Sequence, residues 1–110
     1  MPFYMTQFSY DEDTWASLLK NPEDREPVIR QLCERNGARL HGLWYAFGEY
    51  DGVLIVEAPD NTTVATILLA VAASGAIERL KTTVLLTTQE AVTAMRRAGG
   101  VGYRPPGSAT

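Results

Sequence analysis

A five-residue segment with glycine at both ends, Gly48-Glu49-Tyr50-Asp51-Gly52, lies between two runs that read as β-strands, and it constrains the fold more than any other feature. Residues 39–47 alternate and are rich in aromatics, while residues 53–58 form a second apolar run of strand length. Glycines at both ends of the connection supply the backbone angles a hairpin loop needs, so the two runs should pair antiparallel. A strand and a helix precede this hairpin. Phe3–Tyr10 is aromatic and β-branched, as a first strand would be, and Ser9 with Glu12 makes a capping-box pattern beside the acidic Asp11, Glu12 and Asp13. Trp15, Leu18 and Leu19 form an apolar stripe that Val28, Ile29, Leu32 and Cys33 resume. Asn21-Pro22 and Pro27 intervene, which predicts a helix broken or bent between Asn21 and Pro27, and Gly37 suits a left-handed cap at its end.

A helix and a strand follow the hairpin. Pro59-Asp60-Asn61 opens a helix that is apolar almost all round, with Asp60 as cap and Gly75 as stop, and its apolar residues predict burial in the core. Residues 77–87 read as a fourth strand, with Leu80, Val84 and Leu86 as its core-facing set. Thr87 and Glu90 then make a second capping box, leading into Ala91, Val92 and Met95 and ending near Arg96, Arg97 and Gly99. The order predicts an α+β fold: a ferredoxin-like βαββαβ plait with an extra C-terminal helix, its four-stranded antiparallel sheet carrying two helices on one face. At 110 residues the chain holds one domain, expected over residues 1–98, with the Gly/Pro-rich residues 99–110 as a tail. In several strands both alternating sets are apolar, so the sheet face away from the helices should also be covered.

Charge and ligand chemistry exclude several classes. Ten basic residues against thirteen acidic ones give a net charge of −3, which supplies no field to hold phosphates or anionic lipid, so neither nucleic acid nor membrane is expected as a partner. The longest apolar stretch is far short of the ~20 residues that cross a bilayer. One histidine and one cysteine leave too few ligands for a transition-metal site, and no cofactor is expected. A single cysteine and a start with no basic, apolar leader point to the cytoplasm.

The run Gly48-Glu49-Tyr50-Asp51-Gly52-Val53, continuing through Ile55-Val56-Glu57-Ala58-Pro59-Asp60, resembles the signature of the GYD-domain family of small bacterial proteins. Phe3-Tyr4-Met5 and Lys81-Thr82-Thr83-Val84-Leu85 are also similar, so the resemblance extends to about Ala98. It implies a ferredoxin-like fold of the dimeric α/β-barrel type, in which two sheets pack face to face across a two-fold axis. The family's biochemical function is not established.

If Phe47 faces Val53 across the hairpin, Tyr45 faces Ile55, Leu43 faces Glu57, and His41 lies on the same surface. The fourth strand would add Arg79 and Lys81, so that polar groups gather among apolar neighbours as in a ligand pocket; an ordinary dimer interface with partly exposed edge charges accounts for them more simply. A slip of one residue would move His41 and Tyr45 to the helix side. His41 is the candidate acid or base, with a structural or surface histidine as the alternative. Tyr50 and Asp51 are candidate ligand contacts at the rim, although both residue types are also normal in a hairpin loop. Trp15, Trp44 and Phe47 read most simply as core. The predicted ligand set is therefore His41, Tyr45, Tyr50, Asp51, Glu57 and Arg79.

Three functional classes follow. The first is a homodimer binding a small organic molecule between its sheets, with or without catalysis, by analogy of fold. The second is a non-enzymatic structural or regulatory dimer. RNA binding on the open sheet is the third, and the acidic balance argues against it.

Overall fold

The computed structural model describes residues 1–107. Its elements run β1 (Phe3–Tyr10), α1 (Glu12–Lys20), α2 (Glu26–Arg35), β2 (Arg39–Tyr45), β3 (Gly52–Glu57), α3 (Asn61–Ala73), β4 (Ile77–Leu85) and α4 (Thr88–Ala98). The strands form one antiparallel sheet in the order β2-β3-β1-β4, the α+β plait expected from the element order.

Local sequence explains most boundaries. The first helical stretch is divided between Lys20 and Glu26, and Pro27 sits in the first turn of α2, where its missing N–H costs nothing. Gly37 and Gly75 both take positive φ, +76° and +80°, and so turn the chain out of α2 and α3 into the next strands. Asp60 caps α3 by accepting from the Thr63 backbone N–H at 2.8 Å. At α4 both arms of the Thr87–Glu90 capping box form, at 2.9 and 3.0 Å. The expected box at Ser9 does not form. Ser9 belongs to β1 and is buried, and Asp11, the residue just beyond the strand, accepts from Thr14 N–H in its place.

The core lies between one sheet face and helices α2 and α3. Tyr4, Leu40 and Val56 from the sheet meet Cys33 of α2 and Val64 and Ile67 of α3. Fully burying a side chain of the size of Leu40 stabilises by about 1.5–3 kcal/mol. Buried polar groups find partners: Tyr4 donates its hydroxyl hydrogen to Asn61 Oδ1 at 2.6 Å, and the Thr6 and Thr82 hydroxyls lie 2.8 Å apart.

Two expectations about packing fail. Helix α3 is not enclosed; only Val64 and Ile67 are buried, and Leu69 is 70% exposed. On β4, Val84 has the helix-side register of Tyr4 but is 56% exposed, and Leu86, just beyond the strand, is 65% exposed, so of the expected core-facing set only Leu80 is partly covered. Helix α4 has no buried side chain, and residues 99–107 are exposed. The radius of gyration, 18.4 Å, accordingly exceeds the roughly 13 Å of a compact chain of this length.

Candidate functional site

The hairpin register decides which candidates can meet. Trp44 pairs with Val53 and Tyr45 with Gly52, so the connection is three residues longer on the β2 side than the pairing of Phe47 with Val53 would have it. A bulge between Leu40 and Gly42 then shifts the register, leaving His41 without a cross-strand partner. As a result His41 and Tyr45, four residues apart, lie on opposite faces. Phe47 is fully exposed and Trp44 is 54% exposed, so neither is core.

On the face away from the helices, β1 places Phe3, Met5 and Gln7 beside Glu57, Ile55 and Val53 of β3 and beside Leu85, Thr83 and Lys81 of β4. His41 joins them. Its Nε2 lies 3.0 Å from Glu57 Oε1, and its ring centroid is 5.2 Å from that of Phe3. The expected proximity of His41 to Glu57 is thus present, reached through the bulge, while the backbone partner of Glu57 is Arg39. The imidazole presents an orienting carboxylate on one side and an aromatic ring on the other, an arrangement able to hold a proton or a polar ligand atom.

Tyr45 lies on the helix side. Its hydroxyl is 3.2 Å from that of Tyr10, and with Phe8 and Trp15 the two form an aromatic cluster with centroid separations of 5.2–6.5 Å. Burial, reinforced by the hydrogen bond with Tyr45, pushes the Tyr10 phenol well above its ordinary range.

Asp51 is held inward. Its Oδ2 accepts from the Tyr10 backbone N–H at 3.1 Å and from Trp15 Nε1–H at 3.0 Å, so one carboxylate ties the hairpin to the end of β1 and to α1. Asp51 N–H donates to Phe8 O, and Ala46 N–H donates to Asp51 O, each at 2.8 Å. Arg79 completes the clamp from β4: its guanidinium carbon sits 4.7 Å from the Tyr50 ring centroid, and Nη2 donates to the Glu49 carbonyl and to Ser9 Oγ. Tyr50, Asp51 and Arg79 therefore knit the loop to the sheet. Arg79 pairs with Ser9 and Glu57 with Phe3, six residues apart along β1, which separates this clamp from His41 by roughly 20 Å within one chain. The six candidates fall into three groups rather than one pocket.

Sequence reasoning did not find a groove of about 260 Å³ between α2 and α3, lined mainly by apolar side chains that include Ile29, Leu32, Leu68 and Leu80. It adjoins a hollow of about 350 Å³ that carries Asp11, Asp13 and Glu23; both are lined by Tyr10, Arg25, Ser74 and Ala76. The absence of a polar face on α3 was the one available signal. No helix among the described residues is long and apolar enough to cross a membrane.

The fold is shared with solved structures of low sequence similarity. MtbAldR (Rv2779c) superposes with a TM-score of 0.57 at 14% identity over 78% of this chain, which spans about half, 53%, of that protein's length. FFRP-DM1 gives a TM-score of 0.50 at 14% identity, covering 78% of this chain and 100% of that one. In sequence, the chain is 32% identical over 80 residues to the "Glutamine synthetase and cystathionine beta-lyase binding protein" of Thermus thermophilus, covering 73% of this chain and 84% of the relative. The GYD domain matches residues 4–95, a span that takes in the clamped loop, the His41–Glu57 pair and all of the four strands but Phe3, and the chain belongs to the GYD domain family.

Proposed function

We propose that the chain is a homodimeric binding module, accessory to another protein, whose two sheets pack face to face as in a dimeric α/β barrel. The observation that carries this reading is the uncovered sheet face, where Met5, Val53 and Ile55 line up beside the half-exposed Trp44. A second such sheet would cover these side chains, and a two-fold axis lets one surface serve both copies. The relative from Thermus thermophilus is named for binding two enzymes, which supports a protein as the further partner. The single cysteine, Cys33, is free and buried, in keeping with action in the cytoplasm.

Sedimentation at micromolar concentration tests the dimer: twice the chain mass is expected, and Ile55→Asp, at the centre of the face, gives a folded monomer. A wild-type monomer refutes the reading. Titration against glutamine synthetase and cystathionine β-lyase of the same organism tests the partner class, and the absence of binding to either removes the support drawn from the relative.

A second reading keeps a small organic ligand between the sheets, favoured by the His41–Glu57 pair beside Phe3. Native mass spectrometry of the purified dimer would show the added mass, and His41→Gln would lower its occupancy without unfolding the protein. A dimer free of added mass under all growth conditions removes this reading.

A further inference from the structure

Among the described residues two surfaces lack a partner, and their charges correspond. Helix α4 carries Ala91, Val92 and Met95 along one stripe, yet none of its side chains is buried and Met95 is 68% exposed. At eleven residues it is about 16 Å long and marginal as an isolated helix, so it needs a surface to pack on. The groove between α2 and α3 is mainly apolar and open, and it runs into the hollow bearing Asp11, Asp13 and Glu23 against one arginine, Arg25, which pairs with Glu23 and leaves the hollow a net −2. Arg96 and Arg97 follow Met95 within the last turn of α4. From residue 88 onward the chain holds one acid, Glu90, and three arginines, Arg96, Arg97 and Arg104, a net +2 in a total of −3. The preceding 87 residues therefore carry −5, and arm and body attract.

We propose that α4 of one copy docks in the α2/α3 groove of a second copy, reciprocally, with Val92 and Met95 against the apolar walls and Arg96 and Arg97 over the acidic hollow. This rests on the homodimer reading above and extends it from the sheet face to the opposite side of each subunit. A second copy is the fitting occupant because only Leu86 and Thr87 separate β4 from α4, Thr87 is locked in the capping box, and the helix they launch stands away from its own body. Each exchanged arm closes a groove that its own subunit leaves open.

Mixing two full-length variants tests this, one with Met95→Cys and the other with Val28→Cys, both in a Cys33→Ala background; Val28 lines the groove and is 43% exposed. Mild oxidation of the mixture should yield the mixed disulfide dimer. Replacing Val28→Cys by Leu19→Cys, at an exposed position outside the groove, should reduce the yield at least tenfold. In the double variant carrying both cysteines in one chain, closure confined to a single chain overturns the proposal, as does equal mixed product from the Leu19 control. Val92→Glu combined with Met95→Glu, at exposed positions, should raise the dimer dissociation constant at least tenfold with unchanged circular dichroism. If the wild-type chain is monomeric, the homodimer reading fails; a wild-type dimer unaffected by the glutamates and giving no mixed disulfide overturns the arm alone.

Discussion

Replacing Asp51 separates a structural carboxylate from a ligand-binding one. Its Oδ2 accepts two hydrogen bonds, from Tyr10 N–H at 3.1 Å and Trp15 Nε1–H at 3.0 Å, and the side chain is half-buried. A hydrogen bond to a charged acceptor contributes about 1.5–3 kcal/mol, and partial solvation lets water recover part of that at each donor. Asp51→Ala should therefore cost about 2–3 kcal/mol. Asp51→Asn keeps an accepting oxygen in place and loses the charge, at a cost of about 1 kcal/mol. Urea unfolding followed by far-UV circular dichroism measures both, and Trp15 fluorescence, read in a Trp44→Phe background, reports the loop locally. An Asp51→Ala variant within about 0.5 kcal/mol of wild type, the range of an unremarkable surface change, would refute the clamp and return Asp51 to the ligand candidates.

Two glycines and one thiol offer further tests. A Cβ at Gly52 would lie 2.7 Å from Cε1 of the buried Phe8 ring, so Gly52→Ala should cost about 1–3 kcal/mol, whereas at Gly42 the obstacle is the exposed Trp44 ring at 2.7 Å, which can swing aside, and Gly42→Ala should cost under about 1 kcal/mol; equal urea midpoints for the two variants would contradict this packing. Burial pushes the Cys33 thiol above its ordinary range, so its contribution to stability is complete below the pKa of the unfolded thiol, about 8.5, and declines as pH rises, because the unfolded chain ionises first. Urea midpoints should fall between about pH 8 and 9.5 in wild type, and Cys33→Ala should remove that decline; the same slope in both proteins would assign it to other groups.

The parts of this fold legible in the sequence are those fixed by local chemistry. Asp60, Thr87 with Glu90, Gly37 and Gly75 act on residues within a turn of themselves, and the structure uses each as its position implies. Ser9 misled because serine serves equally well in a strand, where its hydroxyl here accepts from Arg79 of β4, 70 positions away in sequence. The bulge at His41 shows in the sequence only as Gly42 and the odd, three-residue spacing of Leu40 and Leu43, yet it decides that His41 meets Glu57 while Tyr45 meets Tyr10. Nor can α3, apolar on every side, announce which residues it will leave exposed, because a helix without a polar face has no preferred direction in its sequence. The clamp on Asp51 joins residues 36 and 41 positions apart and becomes visible only once the sheet is folded.

The placement of β4 has a consequence for solubility. As an edge strand it offers unpaired backbone groups along nine residues, and between Lys81 and Glu90 the sequence Thr-Thr-Val-Leu-Leu-Thr-Thr-Gln carries no charge, glycine or proline. Such a segment is a template for adding a strand from another molecule and for the stacking that builds fibrils. Arg79 and Lys81 guard its first half; its second half is interrupted by the capping box at Thr87, which diverts the chain into α4. Weakening that box lengthens the uncharged edge, and heated or concentrated protein should then gel or form fibrils from this corner of the sheet before the core between the sheet and helices α2 and α3 comes apart.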